Sequence, residues 1–161
     1  MIRLVLLALV LLGGFYAHGR YTFSEPKVMG WLVQHTARSM QGDSAACDDY
    51  ADDAKVELTA KGLRGRWEVE GGKEEICGYL KQSSAALTLV QARTQTDFED
   101  VRITRGGFPW TSARVQYTQR TSVQAGPLPS LTIVSEDSMV LARTGSGLRI
   151  RELHSQSSGG L

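Results

Sequence analysis

Gly42-Asp43-Ser44-Ala45-Ala46-Cys47-Asp48-Asp49-Tyr50-Ala51-Asp52-Asp53-Ala54-Lys55-Val56-Glu57 is the stretch on which the fold turns. Upstream of it, Val28, Met29, Trp31, Leu32, Val33, Thr36, Ala37 and Met40 recur at helical spacing. Ser24-Glu25-Pro26 supplies that helix with an N-cap, an early carboxylate and a proline for its first turn. Gly42-Asp43 stops it, and Ser44 to Tyr50 reads as a second, short helix. Ala54 to Ala60 then alternates as a strand does, and Arg66 to Glu70 gives another after the Gly62–Gly65 turn. Gly71-Gly72 leads into a third helix from Lys73 to about Leu87, with Ile76, Cys77, Tyr79 and Leu80 facing inward.

From Val90 onward the pattern changes. Arg93–Arg105, Trp110–Val123, Ser130–Arg143 and Leu148–Ser155 are Thr/Val/Arg-rich stretches, separated by Gly106-Gly107-Phe108-Pro109, Ala125-Gly126-Pro127-Leu128-Pro129 and Gly145-Ser146-Gly147. Such separators are hairpin turns by composition. Val101 with Ile103, Val115 with Tyr117, Leu131 with Ile133, and Leu148 with Ile150 each share an inward strand face. Helices followed by a meander predict an α+β domain over 24–155, three N-terminal helices packed in a strongly curved antiparallel sheet. The small polar residues of 156–161 predict a flexible tail.

Ahead of the domain, 1–20 holds Arg3 and then an uncharged run, Leu4 to Ala17. As a helix the run spans about 21 Å, against about 30 Å for a hydrocarbon core. It reads either as a signal peptide cleaved near Gly19, or as a retained helix with Phe15, Tyr16 and Tyr21 in the interfacial belt. Gly13-Gly14 is expected to interrupt a helix in this run, which argues against an ordinary buried soluble helix. Both readings imply export, to a bacterial inner membrane with a periplasmic domain or into the periplasm itself. The 161 residues hold 18 Lys+Arg against 17 Asp+Glu, a balance that lacks the basic footprint of a nucleic-acid binder. Two cysteines and three scattered histidines offer neither a zinc finger nor a metal motif, so no metal or cofactor is expected.

The order of elements and the wording of the opening stretch resemble the nuclear transport factor 2-like superfamily over about Val28 to His154. Members of that superfamily carry a helix ending in Gly-Asp, a short helix, and an Ala-Asp-Asp-Ala-x-Val lead-in to the first strand; Gly72-Lys73-Glu74-Glu75-Ile76 matches its start of the third helix. The resemblance implies a cone, a bent antiparallel sheet wrapped over helices. Tyr50 to Glu57 is also similar to the corresponding run of ketosteroid isomerases, whose general-base aspartate would fall at Leu58. A leucine accepts no proton, so that chemistry does not transfer. Their oxyanion-hole tyrosine aligns with His35.

Within the cone the resemblance implies, Trp31, His35, Tyr50, Trp67 and Tyr117 are the candidate lining of a ligand pocket suited to an apolar small molecule. Asp48, Asp49, Asp52 and Asp53 lack calcium-loop spacing and read as a solvated helix end. Phe108 and an exposed Trp110 at a hairpin tip are candidate contacts for a membrane-protein or envelope-complex partner. The arginines from Arg93 to Arg151 read as a solvated outer sheet face, or as a face for an acidic partner or anionic headgroups; homodimerisation through the sheet is a further option. Cys47 and Cys77 lie on helices that neighbour one another in the cone, and export favours their pairing. With no catalytic residue assigned, the expectation is a non-catalytic binding or assembly domain. The alternatives are an isomerase, dehydratase or cyclase-like enzyme using His35, or a carrier of an apolar ligand.

Overall fold

The computed structural model describes residues 2–62, 65–89, 91–126 and 129–160, with backbone only at 2 and 160. Positions 63–64 of the first turn, 127–128 of the Pro-rich turn, and the last residue of the expected tail lie outside them. The elements are α1 (Ile2–Thr22), α2 (Glu25–Gln41), a 3-10 helix (Ser44–Asp49), β1 (Tyr50–Gly62), β2 (Gly65–Gly71), α3 (Lys73–Leu89), β3 (Arg93–Arg105), β4 (Ser112–Gln124), β5 (Leu131–Thr144) and β6 (Gly147–Gly160).

The α+β architecture is a strongly curved six-stranded sheet in the order β2-β1-β6-β5-β4-β3, with α2 and α3 held against it. One expectation needs correcting. The sheet is not wholly antiparallel, because β1 and β6 pair in parallel. That pairing brings β6 between β1 and β5, so residues 156–160 are strand rather than flexible tail. Gln156, Ser157 and Ser158 pair with Thr59, Ala60 and Lys61 on one side, and with Glu136, Ser135 and Val134 on the other. Small polar side chains looked like a frayed end, but the backbone hydrogen bonds of a central strand do not depend on them.

The core follows the predicted faces. Val28, Leu32 and His35 form the buried stripe of α2, and Val115, Tyr117, Met139, Leu141 and Ile150 the buried face of the sheet. Gly42 ends α2 at φ +72, and its N–H reaches the Arg38 and Ser39 carbonyls. A Cβ there would come within 2.6 Å of Ser84 Oγ on α3, so this glycine also sets the α2–α3 approach. At the start of α3 the Glu75 carboxylate accepts from Gly72 N–H at 2.8 Å. Cys47 and Cys77 are bonded, tying the 3-10 helix to α3 with Cα atoms 5.6 Å apart.

α1 departs from expectation. It runs unbroken through Gly13-Gly14, since neither glycine meets any neighbour and nothing forces a break. Over Arg3–Thr22 it is long and apolar enough to cross a membrane by length and composition. Leu4 to Leu12 are exposed, but its last turns dock: Tyr16 packs edge-on against Trp110 at 5.1 Å, and the Arg143 guanidinium lies 4.5 Å over the Phe15 ring.

Candidate functional site

The helical stripe of α2 ends in a histidine where a core residue would ordinarily sit. Val28, Leu32 and His35 are spaced four and three apart, so His35 points to the same interior as the two aliphatics. Trp31 stacks face to face on it at 5.1 Å with the rings parallel, and Tyr50 meets it edge-on at 5.6 Å. Imidazole Nδ1 lies 2.7 Å from Asp49 Oδ2, and Arg38 Nη2 donates to the same oxygen at 2.7 Å. The carboxylate accepts only, so Nδ1 carries the hydrogen of this contact, and Nε2 is the ring nitrogen left free of it.

Asp49 corrects the expected solvated helix end. It is the last residue of the 3-10 helix and is buried, whereas Asp48 is exposed. Asp52 and Asp53 cap no turn; they lie on β1 and pair outward with Lys73 at 2.8 Å and Arg151 at 2.6 Å. These partners hold both carboxyls below the usual range.

Facing the helices across the interior is an unexpected acid. β5 points Ser135, Asp137, Met139 and Leu141 inward, continuing the face of Leu131 and Ile133. Asp137 Oδ2 accepts from Ser135 Oγ at 3.0 Å. Oδ1 is buried and, among the described residues, has no partner. Burial pushes this carboxyl above the usual aspartate range, against the opposing pull of the Ser155 and Ser135 hydroxyls. Burial, reinforced by Asp137 and Tyr50, likewise drives Tyr117 well up; burial, Asp49 and Asp137 raise Tyr50. Both phenols therefore stay protonated at neutral pH.

These groups share one cavity of about 420 Å³. His35, Tyr50, Trp67 and Tyr117 all line it, as does Asp137; Trp31 backs the imidazole instead of lining the space. Trp67 leans on Tyr79 at 5.0 Å and is partly exposed. Leu58 is also in the lining, so the ketosteroid-isomerase base position reaches the cavity and is apolar there. Among the described residues no His, Cys, Asp and Glu cluster could hold a metal ion.

Elsewhere, Phe108 is exposed. Trp110 is not free: it is half-buried between Tyr16, Phe108 and Gly19 of α1. The sheet arginines are largely an outer face, with Arg114 to Glu152, Arg120 to Glu99 and Arg151 to Asp53 as ion pairs.

Solved structures share this fold. A nuclear transport factor 2-like protein with a cystatin-like fold from Novosphingobium aromaticivorans superposes with a TM-score of 0.65 at 14% identity, covering 88% of this chain and 86% of its own. The chain has the nuclear transport factor 2-like fold. The beta subunit of benzoate 1,2-dioxygenase from Burkholderia mallei shares this fold with a TM-score of 0.63, 11% identity, and coverage of 84% and 91%. A candidate scytalone dehydratase from N. aromaticivorans gives 0.60, 7% identity, and coverage of 81% and 80%. No family model and no curated protein matches the sequence. Within the nuclear transport factor 2-like fold, the cavity lies between the helices and the concave sheet, so His35, borne on a helix, and Asp137, borne on a strand, come from opposite walls.

Proposed function

We propose that the chain is a small-molecule acid–base enzyme of the isomerase or dehydratase type, working on a carbonyl compound held in the cavity. The carrying observation is the buried His35–Asp49 pair at 2.7 Å, whose imidazole lines the same cavity as the Tyr50 and Tyr117 phenols and the Asp137 carboxyl. His35 Nε2 takes the proton from carbon beside the carbonyl. Asp49 fixes the tautomer and steadies the imidazolium that forms, a type of general base catalysis worth about 10²–10⁴-fold. Negative charge then develops on the carbonyl oxygen, and the protonated phenols of Tyr50 and Tyr117 in the cavity lining are the donors that stabilise it. That a candidate scytalone dehydratase shares the fold supports this reading over a non-catalytic assembly domain. Leu58 removes one possible base, and His35 replaces it from the opposite wall.

A cyclic ketone probe tests this. With 2-tetralone in deuterated buffer, the protein should catalyse exchange of the protons next to the carbonyl, followed by NMR, and His35→Gln should abolish the catalysis. Equal exchange rates for the parent and His35→Gln would sink the proposal.

We also infer that the chain works outside the cytoplasm, with α1 kept as a membrane anchor. The Cys47–Cys77 bond fits an oxidising compartment. Residues on both sides of the cleavage position near Gly19 are packed onto the domain: Phe15 and Tyr16 before it, and the buried Phe23 after it. Amino-terminal sequencing of the protein recovered from membranes should begin ahead of Leu4; a start at Arg20 or Tyr21 contradicts retention.

A further inference from the structure

The docked end of α1 and the β3–β4 connection enclose a cleft of about 310 Å³, separate from the catalytic cavity. Its lining includes Tyr16, Arg20, Phe23, Arg105 and Trp110. Two guanidinium-bearing residues meet three aromatics there. Arg20 and Arg105 are exposed, and among the described residues neither pairs with a carboxylate. The Arg20 side chain donates to the Tyr16 hydroxyl at 3.3 Å, with its guanidinium 5.9 Å from that ring. At the outer edge Phe108 is 75% exposed and packs edge-on against Trp110 at 5.4 Å.

Contact fixes depth. The apolar run of α1 ends at Ala17, and its helical length of about 21 Å falls short of a hydrocarbon core of about 30 Å. An embedded α1 therefore draws the lipid boundary up to Tyr16 and beyond. Whatever touches Tyr16 and Gly19 sits at that boundary. Trp110 touches both: its ring meets Tyr16, and a Cβ on Gly19 would come within 3.0 Å of its carbonyl oxygen. Trp110 holds φ +58, uncommon for a bulky residue, in making this approach. Phe108, Trp110, Tyr16 and Tyr21 then form an aromatic girdle of the kind that favours the interface, with cationic groups beside it.

We propose that the β3–β4 tip is a second membrane contact, with Phe108 and Trp110 in the interfacial layer and an anionic lipid headgroup held between Arg20 and Arg105. This rests on α1 being embedded. It adds a specific lipid chemistry: the phosphate of a phosphatidylglycerol-like headgroup, neutralised by two arginines that have no carboxylate partner. Near a membrane surface each basic residue is worth about a five-fold preference for anionic lipid.

The test uses the full chain carrying Trp31→Phe and Trp67→Phe, so that Trp110 alone reports. It is reconstituted into phosphatidylcholine vesicles containing equal fractions of either brominated phosphatidylcholine or brominated phosphatidylglycerol. Flotation after an alkaline wash confirms that α1 is embedded. Trp110 emission should be quenched by both lipids and more strongly by brominated phosphatidylglycerol. That preference should fall towards parity in the Arg20→Gln/Arg105→Gln variant, with the phosphatidylcholine quenching unchanged. Equal quenching by both lipids in the parent overturns the headgroup site. Flotation without quenching by either lipid overturns the tip contact. A chain that fails to float overturns the embedded helix itself.

Discussion

Asp137 is the residue whose ionisation most sharply links structure to pH. Its carboxyl is raised by burial, so the folded chain holds a proton that the unfolded chain releases from about pH 3.9 upward. Where the folded state binds more protons, stability falls as pH rises, and the loss persists above the folded pKa. Asp137→Asn keeps the shape, removes the charge and gives the buried Oδ1 position a neutral group. It should raise the melting temperature at pH 7 more than at pH 4, as read by thermal denaturation; an equal shift at both would contradict the burial argument. The same substitution should reduce ketone exchange if Asp137 is a proton donor. Asp49→Asn behaves oppositely. It leaves Arg38 and His35 short of a charged acceptor, so it should cost about 1–3 kcal/mol in denaturant unfolding as well as activity. The two aspartates differ in legibility. Asp137 was there to be read as a polar residue in the Leu131-Ile133-Ser135-Asp137-Met139-Leu141 face, since alternation alone places it inward. Asp49 was not, because its neighbour Asp48 is solvated and only the turn of the 3-10 helix separates them.

At the scale of elements, the six-residue 3-10 helix is too short to hold its own geometry, yet it carries the carboxylate that orients the His35 imidazole. Its fixation comes from the Cys47–Cys77 bond to α3, two residues from Asp49. Closing a loop across a sequence separation of 30 stabilises by about 3–4 kcal/mol on the chain-entropy model. Reduction should therefore lower the urea midpoint, and it should reduce ketone exchange at temperatures where the chain is still folded. A reduced, folded protein with undiminished exchange would show that α2 and β1 suffice to hold Asp49. The helices were readable because capping and spacing are local: Pro26 opens α2 and Gly42 closes it. The parallel partnership of β1 with β6 was not. It joins residues about a hundred positions apart, and no local pattern encodes that. For the same reason Gln156 to Ser158 passed for a tail, and Trp110 for a free hairpin tip until α1 was seen against it.

For the molecule as a whole, the sheet separates two jobs along its strands. On β4, Ser112 borders the cleft against α1, while Tyr117 and Gln119 line the cavity that holds His35 and Asp137. At about 3.3 Å per residue, Tyr117 lies about 17 Å along the strand from Ser112. Gly19→Val should test how firmly the two ends are joined. Its side chain would collide with the Trp110 carbonyl, so the variant should lose the Tyr16–Trp110 packing and show a shifted Trp110 emission, with the ketone exchange rate kept. A loss of exchange would mean that anchor and pocket fold as one unit. Only Phe23 and Ser24 separate α1 from α2, and Phe23 is itself core. A domain anchored on a long tether sweeps a hemisphere; with α1 held in a membrane, this two-residue link would leave no slack to sweep with. Once α1 is embedded, the pocket keeps a set altitude, and its substrates must be those that pass through one thin layer of water above the bilayer.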